Sequence, residues 1–239
     1  MTRIAFHVHS DWSYDGRWPL ERISHDFRRR GFDAVLLCEH CRTFDEERWQ
    51  SYQEACRAAG SHGAILVPGI EYSDPENVVH VPVWGVDEFL GSEIPTAEML
   101  EKASGHPGAF IVLAHPNRRN AWELIDKDWL DRFHAIEIWN RKADGIQVSR
   151  VREWIEKTKV RRIAALDFHS DRQRFPMATT VNVDDGSDSI QIIKAMREGR
   201  FNTTVMGMPL QMATSRAISM ICGLADGSRK ALLSLRGSR

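Results

Sequence analysis

Cysteine is scarce, with four in 239 residues. That is too few for a disulfide scaffold and points to a reducing, cytoplasmic setting. No stretch approaches the roughly 18 uninterrupted apolar residues of a membrane-spanning helix. The chain opens straight into a strand pattern at Arg3-Ile4-Ala5-Phe6. No basic stretch, apolar core and small-residue cleavage site stand ahead of it, so no secretory leader is expected. Neither sign of charge is in excess, with 32 Lys and Arg against 33 Asp and Glu. The total therefore points to neither nucleic acid nor a membrane surface. Internal repeats, low-complexity segments and linkers are missing as well. What remains is enough chain for one large domain with a sizeable core, at 42% apolar residues.

What the sequence has in quantity is short apolar runs that end in His, Asp or Glu. The first, Arg3-Ile4-Ala5-Phe6-His7-Val8-His9-Ser10, carries two histidines. Residues two apart on a strand share a face, so both imidazoles are expected to aim at one point, as metal ligands do. Run 32–38 leads to Glu39-His40, run 64–70 to Glu71, run 109–114 to His115-Pro116, and run 162–166 to Asp167-Phe168-His169. Run 78–85 carries His80 inside it, and run 135–140 carries Glu137. Helices are predicted over 20–30, 45–59, 96–104, 121–133, 148–158 and 188–198, with Gly31, Gly60 and Gly199 as stops.

Alternating strands and helices predict a parallel sheet with helices outside it. Continuous apolar runs fit strands buried on both faces. About seven such units suit a barrel better than an open sheet, with the chemistry at the C-terminal strand ends. Residues 1–210 form the expected domain; residues 211–239 are a tail or a last element covering the barrel.

The candidate metal ligands are His7, His9, Asp15, His40, Glu71, His80, His115, Asp167 and His169. Imidazole with carboxylate suits zinc, manganese or iron and needs no thiolate. Nine donors exceed what one tetrahedral ion takes, so two or three divalent ions are implied; Glu71 can bridge two of them about 4 Å apart. A single histidine near a strand end is usually a hydrogen-bonded structural residue. Many on one rim are not explained that way. His25, His62, His106 and His134 lie away from strand ends and are expected to be structural. Glu137 is ambiguous: its neighbours Ile136 and Ile138 face the other way, which leaves it free to point into the barrel mouth behind the ligands. Cys38-Glu39-His40-Cys41 is also a C-x-x-C, but a redox role needs an exposed, low-pKa thiol at a helix start.

The sequence His7-Val8-His9-Ser10, followed by Ser13-Tyr14-Asp15-Gly16, Glu39-His40, Gly69-Ile70-Glu71, His80, Ala114-His115-Pro116 and Asp167-Phe168-His169-Ser170, resembles the polymerase-and-histidinol-phosphatase (PHP) family over residues 3 to 205. The resemblance implies an α/β fold, a distorted seven-stranded (β/α)7 TIM-like barrel with a trinuclear centre. By the family pattern His7, His9, Glu71 and Asp167 hold one ion, Glu71, His80 and His115 a second, and Asp15, His40 and His169 a third. Glu39 departs from the pattern, which more often has Asp there.

The implied activity is that of a metal-dependent phosphoesterase acting on a small phosphate ester or nucleotide. Clustered divalent ions lower the pKa of a bound water and supply hydroxide for in-line attack on phosphorus. Arginines neutralise the phosphoryl oxygens. Arg118 and Arg119, Arg141 and Lys142, and Arg172 and Arg174 all follow candidate strands, and Arg118 is the first choice for a catalytic role. Trp12 and Trp139 are expected near the rim as pocket walls. One alternative is an amidohydrolase-type barrel, which also opens with His-x-His but relies on a metal-bridging lysine, and no lysine ends a strand here. Another is a non-catalytic PHP module with a structural or interaction role. A nucleic-acid substrate is less favoured, because no basic groove is visible.

Overall fold

The computed structural model describes residues 1–142, 145–146 and 155–214. Its strands are β1 (Thr2–Val8), β2 (Ala34–Leu37), β3 (Glu39–His40), β4 (Ile65–Val67), β5 (Gly69–Ser73), β6 (His80–Trp84), β7 (Phe110–Leu113), β8 (Ala135–Asn140), β9 (Gly145–Ile146), β10 (Arg161–Ala165), β11 (Met177–Val181), β12 (Phe201–Val205) and β13 (Met208–Pro209). Its helices are α1 (Leu20–Arg29), α2 (Glu46–Gly60), α3 (Thr96–Ser104), α4 (Ser189–Arg197) and the single turn α5 (Leu210–Ala213).

Local signals set most of these bounds. Asp45 caps α2 by accepting from Arg48 N at 2.8 Å, and Asp188 caps α4 by accepting from Ile190 N at 2.8 Å. Gly31, at φ 78°, turns the chain out of α1 into β2. The helix predicted over 121–133 does not form as one piece. Two short 3-10 segments, Arg118–Leu124 and Lys127–Arg132, stand there instead. Arg119 and Asn120 break the first with positive φ, and the Asp126 side chain starts the second by accepting from Asp128 N. Ile125 and Asp126 between the two segments are extended, which interrupts the helical backbone. The helix predicted over 148–158 and the unit predicted over 211–239 lie largely outside the described residues. Among the described residues no helix is long and apolar enough to cross a membrane.

The fold is mixed α/β, with two mixed sheets ordered β13-β12-β11-β1-β2-β4 and β10-β8-β7-β6-β5-β3, β9 adding to β8. The predicted closed ring of seven parallel strands is not what the hydrogen bonds make. The turn between β5 and β6 is too short for a helical crossover, so β6 returns antiparallel to β5 and also pairs antiparallel with β7. On the other sheet β11 pairs antiparallel with β1.

The two sheets are nonetheless linked by continuous chain. Only Cys38 separates β2 from β3, and only Pro68 separates β4 from β5. Past β10, Leu166 N donates to Phe6 O at 3.1 Å and His9 N to Phe168 O at 2.8 Å, tying the end of β1 to the segment that carries Asp167. Between the sheets lies an inner core of Ile4, Phe6, Leu36, Trp84, Phe110 and Ile163, joined by Ile192, Ile193 and Met196 from α4. Outside, Ile23 and Phe27 of α1 and Trp49 and Tyr52 of α2 bury against the strands.

Candidate metal centre

All nine predicted ligands meet on one rim. Glu71, in the middle of β5 and only 1% exposed, is the hub. Its Oε1 lies 3.5 Å from His7 Nε2, 3.1 Å from His80 Nδ1 and 3.1 Å from His115 Nε2. Its Oε2 lies 3.7 Å from His9 Nε2 and 3.0 Å from His40 Nδ1. Asp167 Oδ1 lies 3.5 Å from His9 Nε2 and 3.8 Å from His7 Nε2. Asp15 faces His40 Nε2 at 3.3 Å and His169 Nε2 at 3.1 Å. Three groups of donors are close enough to share an ion each: His7, His9 and Glu71; His40, Glu71 and His80; and His9, His40 and His169.

The backbone that delivers these side chains is unusual. His7, His115 and Asp167 all have positive φ, at 61°, 25° and 46°. Such values are sparsely populated by residues other than glycine, and they cluster at functional sites. The ladder between β1 and β2 shifts register between Phe6 and Val8, so His7 sits in a bulge. His7 and His9 do converge, but through that bulge and not through plain alternation. His80 reaches the rim from the start of its strand, because β6 runs the other way.

A layer of hydrogen bonds behind the ligands fixes which ring nitrogen faces inward. His7 Nδ1 donates to Glu137 Oε1 at 2.6 Å, and Glu137 Oε2 accepts from His115 N at 3.0 Å. His9 Nδ1 donates to Ser13 Oγ at 3.3 Å, and that hydroxyl donates in turn to Glu39. His80 Nε2 donates to Asn77 Oδ1 at 2.7 Å, and His169 Nδ1 to Asp167 O at 3.0 Å. Glu137, ambiguous from sequence, thus orients His7 and holds the backbone of His115.

These tautomers leave bare lone pairs pointing at one another. His7 Nε2 and His9 Nε2 are 3.0 Å apart. His80 Nδ1, buried and 3.1 Å from Glu71 Oε1, makes no hydrogen bond. Acceptor facing acceptor at such distances is repulsive unless a cation lies between, so the donor set fits divalent ions. Without an ion, protons take that place. Burial holds the His7 imidazole down, but Glu137, Asp167 and Glu71 outweigh it and raise its pKa to about 9. His40 is likewise opposed by burial yet raised to about 11 by its hydrogen bonds to Asp15 and Glu71. Burial, with His169 and His40 alongside, pushes His9 well below the usual histidine range. Glu71 is resisted by burial, but the surrounding histidines hold it well below the usual carboxylate range.

The cleft above these residues has a volume of about 350 Å³ and is lined by Tyr14, Asp15, His40, Glu71, His80, His115, Arg118, Lys142 and Asp167. Of the basic residues expected on the rim, only Arg118 and Lys142 line it. Arg119 donates to Glu76 O and Asn77 O, bracing the turn before β6. Arg141 is buried and donates to Arg172 O, and Arg174 pairs with Asp26 and Asp171. The predicted tryptophan walls are elsewhere: Trp139 is fully buried against Phe175, and Trp12 packs on Phe44 and Tyr52. Tyr14, missed from sequence, stacks on His40 at 4.9 Å between ring centroids with 61% of its surface exposed. Its place in the loop next to the candidate ligand Asp15 was the available signal. Lys142, two residues past β8, also reaches the cluster itself, closing on Asp15 and His169. His106 pairs with Glu88, and His134 accepts from Ile111 N, as structural residues do.

The C-x-x-C reading fails. Cys38 and Cys41 are buried free thiols, and burial followed by the nearby carboxylates Glu71, Glu137 and Glu39 pushes the Cys38 thiol far up, so it stays protonated.

No family model matches the chain, and no curated protein does. Solved structures do. A two-domain protein from Bacteroides vulgatus, described as containing a predicted PHP-like metal-dependent phosphoesterase, superposes with a TM-score of 0.64 at 19% identity, over 85% of this chain and 64% of that one. This chain therefore spans less than two thirds of that protein's length. PsfC from Pseudomonas syringae superposes with a TM-score of 0.55 at 18% identity, over 95% of this chain and 99% of that one. A protein from Bifidobacterium adolescentis, provisionally described as a metal-dependent phosphoesterase, gives a TM-score of 0.46 at 14% identity, over 70% of this chain and 87% of that one. The fold of this chain is that of the PHP-like phosphoesterase structure from Bacteroides vulgatus.

Proposed function

We propose that the chain is a metal-dependent phosphoesterase that hydrolyses a small phosphate ester or nucleotide, using two or three divalent ions of zinc, manganese or iron. The observation that supports this best is the convergence of five histidines on the buried carboxylate of Glu71, three of which, His7, His9 and His80, have inward nitrogens left without protons by their outer partners. Divalent ions bound there supply Lewis acidity and an ionised water nucleophile near neutral pH.

The chain's own residues do the rest. By the family pattern His7, His9, Glu71 and Asp167 would hold one ion, Glu71, His80 and His115 a second, and Asp15, His40 and His169 a third. Glu137, Ser13, Asn77 and the Asp167 carbonyl hold the rings in the ligating tautomer. Arg118 Nη1 sits 2.9 Å from Asn77 O on the cleft wall, from which its planar fork can take the phosphoryl oxygens of a substrate. The cleft admits a small phosphorylated molecule. The free, buried Cys38, Cys41 and Cys56 suit a reducing, cytoplasmic compartment.

Two results are expected. Protein stripped with a chelator should not hydrolyse an aryl phosphate, and refilling with zinc, manganese or iron should restore hydrolysis, while an aryl amide stays intact. Amide cleavage without phosphate-ester cleavage, or equal activity in stripped protein, would overturn the reading in favour of amidohydrolase chemistry or a non-catalytic role. Second, Glu137→Ala should raise the free-ion concentration needed for half-loading by about 10–100-fold, as is usual when a ligand's outer partner is lost. Ion content measured against a chelator-buffered series checks this; unchanged loading would remove Glu137 from the centre.

A further inference from the structure

One cation already stands inside the cluster. Lys142 Nζ lies 2.6 Å from His169 Nε2 and 3.1 Å from Asp15 Oδ2. Those are two of the three residues around the third ion position. His169 donates from Nδ1 to Asp167 O, so Nε2 carries the ring's single free lone pair, and the ammonium donates into it. A metal ion bound to that nitrogen sits about 2.0–2.1 Å away along the same lone pair. Ammonium and ion therefore exclude each other.

Among the described residues the other positions have no such competitor. Arg118 Nη1 approaches His80 on Nε2, the nitrogen turned away from Glu71. The backbone of Lys142 is held: its N donates to Asn140 Oδ1 at 3.0 Å, and Asn140 Nδ2 donates to Glu137 Oε2 at 2.9 Å. The same carboxylate that orients His7 thus fixes the root of the lysine. What can move is the flexible four-carbon stem, whose side chain is 36% exposed at the cleft.

We propose that Lys142 is the resident cation of the third position, so that the centre is filled by two divalent ions plus an ammonium, and a third ion enters only by displacing it. The proposal rests on the metal-centre reading above. Displacement leaves the ammonium free on the cleft wall, beside the place where substrate oxyanions are held. The number of ions per chain then follows free-ion concentration, with a gap between the second and the third.

The test compares wild type with Lys142→Met and Lys142→Gln, each stripped and refilled with zinc or manganese across chelator-buffered concentrations, reading ions per chain by elemental analysis. Both variants remove the charge from a partly exposed side chain. Wild type should reach two ions first, and both variants should take the third at a free-ion concentration at least about tenfold lower than wild type needs. The same third-ion requirement in all three proteins, or no third ion in any, overturns the role of Lys142 while leaving the metal centre standing. Fewer than one ion per wild-type chain overturns the metal centre itself.

Discussion

Replacing Glu71 with glutamine should abolish phosphate-ester hydrolysis and empty the centre. Five histidine nitrogens lie between 3.0 and 3.7 Å from its two oxygens. Glutamine keeps the shape but removes the charge and replaces one ligating oxygen with an NH2 that has no lone pair to offer an ion. The loss should exceed the roughly 10–100-fold that follows from removing an outer partner, because a shared ligand is lost; about 10³-fold or more in kcat/KM is expected. Ion content should fall below one per chain. Near-normal loading of Glu71→Gln would refute the shared-ligand role.

The same substitution has a second, ion-free consequence. Glu71 is fully buried and held below the usual carboxylate range by His80 and His7, against burial. A group with a depressed folded-state pKa contributes stability that is present above its unfolded pKa and is lost as pH falls through the folded value. Breaking one side of a buried charge cluster costs about 3–5 kcal/mol. For a chain of this size that is roughly 6–20 °C in melting temperature. Stripped Glu71→Gln should therefore melt well below stripped wild type at neutral pH, and the gap should close on acidification. Thermal melts at several pH values read this directly.

The sequence exposed most of the candidate ligands because they stand where an apolar run stops, and that position survives almost any error in strand pairing. His115 and Asp167 were found this way although neither has ordinary strand backbone. Strand direction was not legible. Whether β6 runs with or against β5 depends on a turn of a few residues, and the apolar run carrying His80 reads alike either way. Strands β11 and β12 escaped notice because Thr179, Thr180, Thr203 and Thr204 interrupt their apolar pattern; Thr179 and Thr203 in fact satisfy each other across the ladder at 3.0 Å. The closed ring was overread, since closure depends on hydrogen bonds between distant segments, and here they form two sheets joined at a few points. Lys142 was legible as a basic residue past β8, but its contact with Asp15 and His169 was not, because that depends on how its long stem folds back over the cleft. Glu39 showed in the sequence only as a departure from the family pattern, which could not say what it touches.

Glu39→Ala should be the most damaging change outside the ligands themselves. The carboxylate is fully buried and accepts from Ser10 N at 2.9 Å, Ser10 Oγ at 2.6 Å, Ser13 Oγ at 2.5 Å and Tyr52 OH at 3.2 Å. Alanine leaves these donors facing a cavity, and each unsatisfied buried group costs about 1–3 kcal/mol. With partial rescue by water, a net loss of about 4 kcal/mol is expected, or roughly 8–16 °C in melting temperature. The damage should also reach the metal positions. Ser13 Oγ accepts from His40 N at 3.0 Å and supports His9 Nδ1, so ion retention should weaken by about 10–100-fold. Glu39→Gln keeps an acceptor oxygen and should lose far less. Burial raises the Glu39 carboxyl above its usual range, although the hydrogen bonds from Ser10, Ser13 and Tyr52 pull the other way. A raised acid costs stability as pH climbs from its unfolded pKa towards its folded one, and glutamine escapes that cost. The melting gap between wild type and Glu39→Gln should therefore narrow with rising pH. If Glu39→Ala melts within about 2 °C of wild type, the loop from Ser10 to Ser13 is held by something other than this carboxylate.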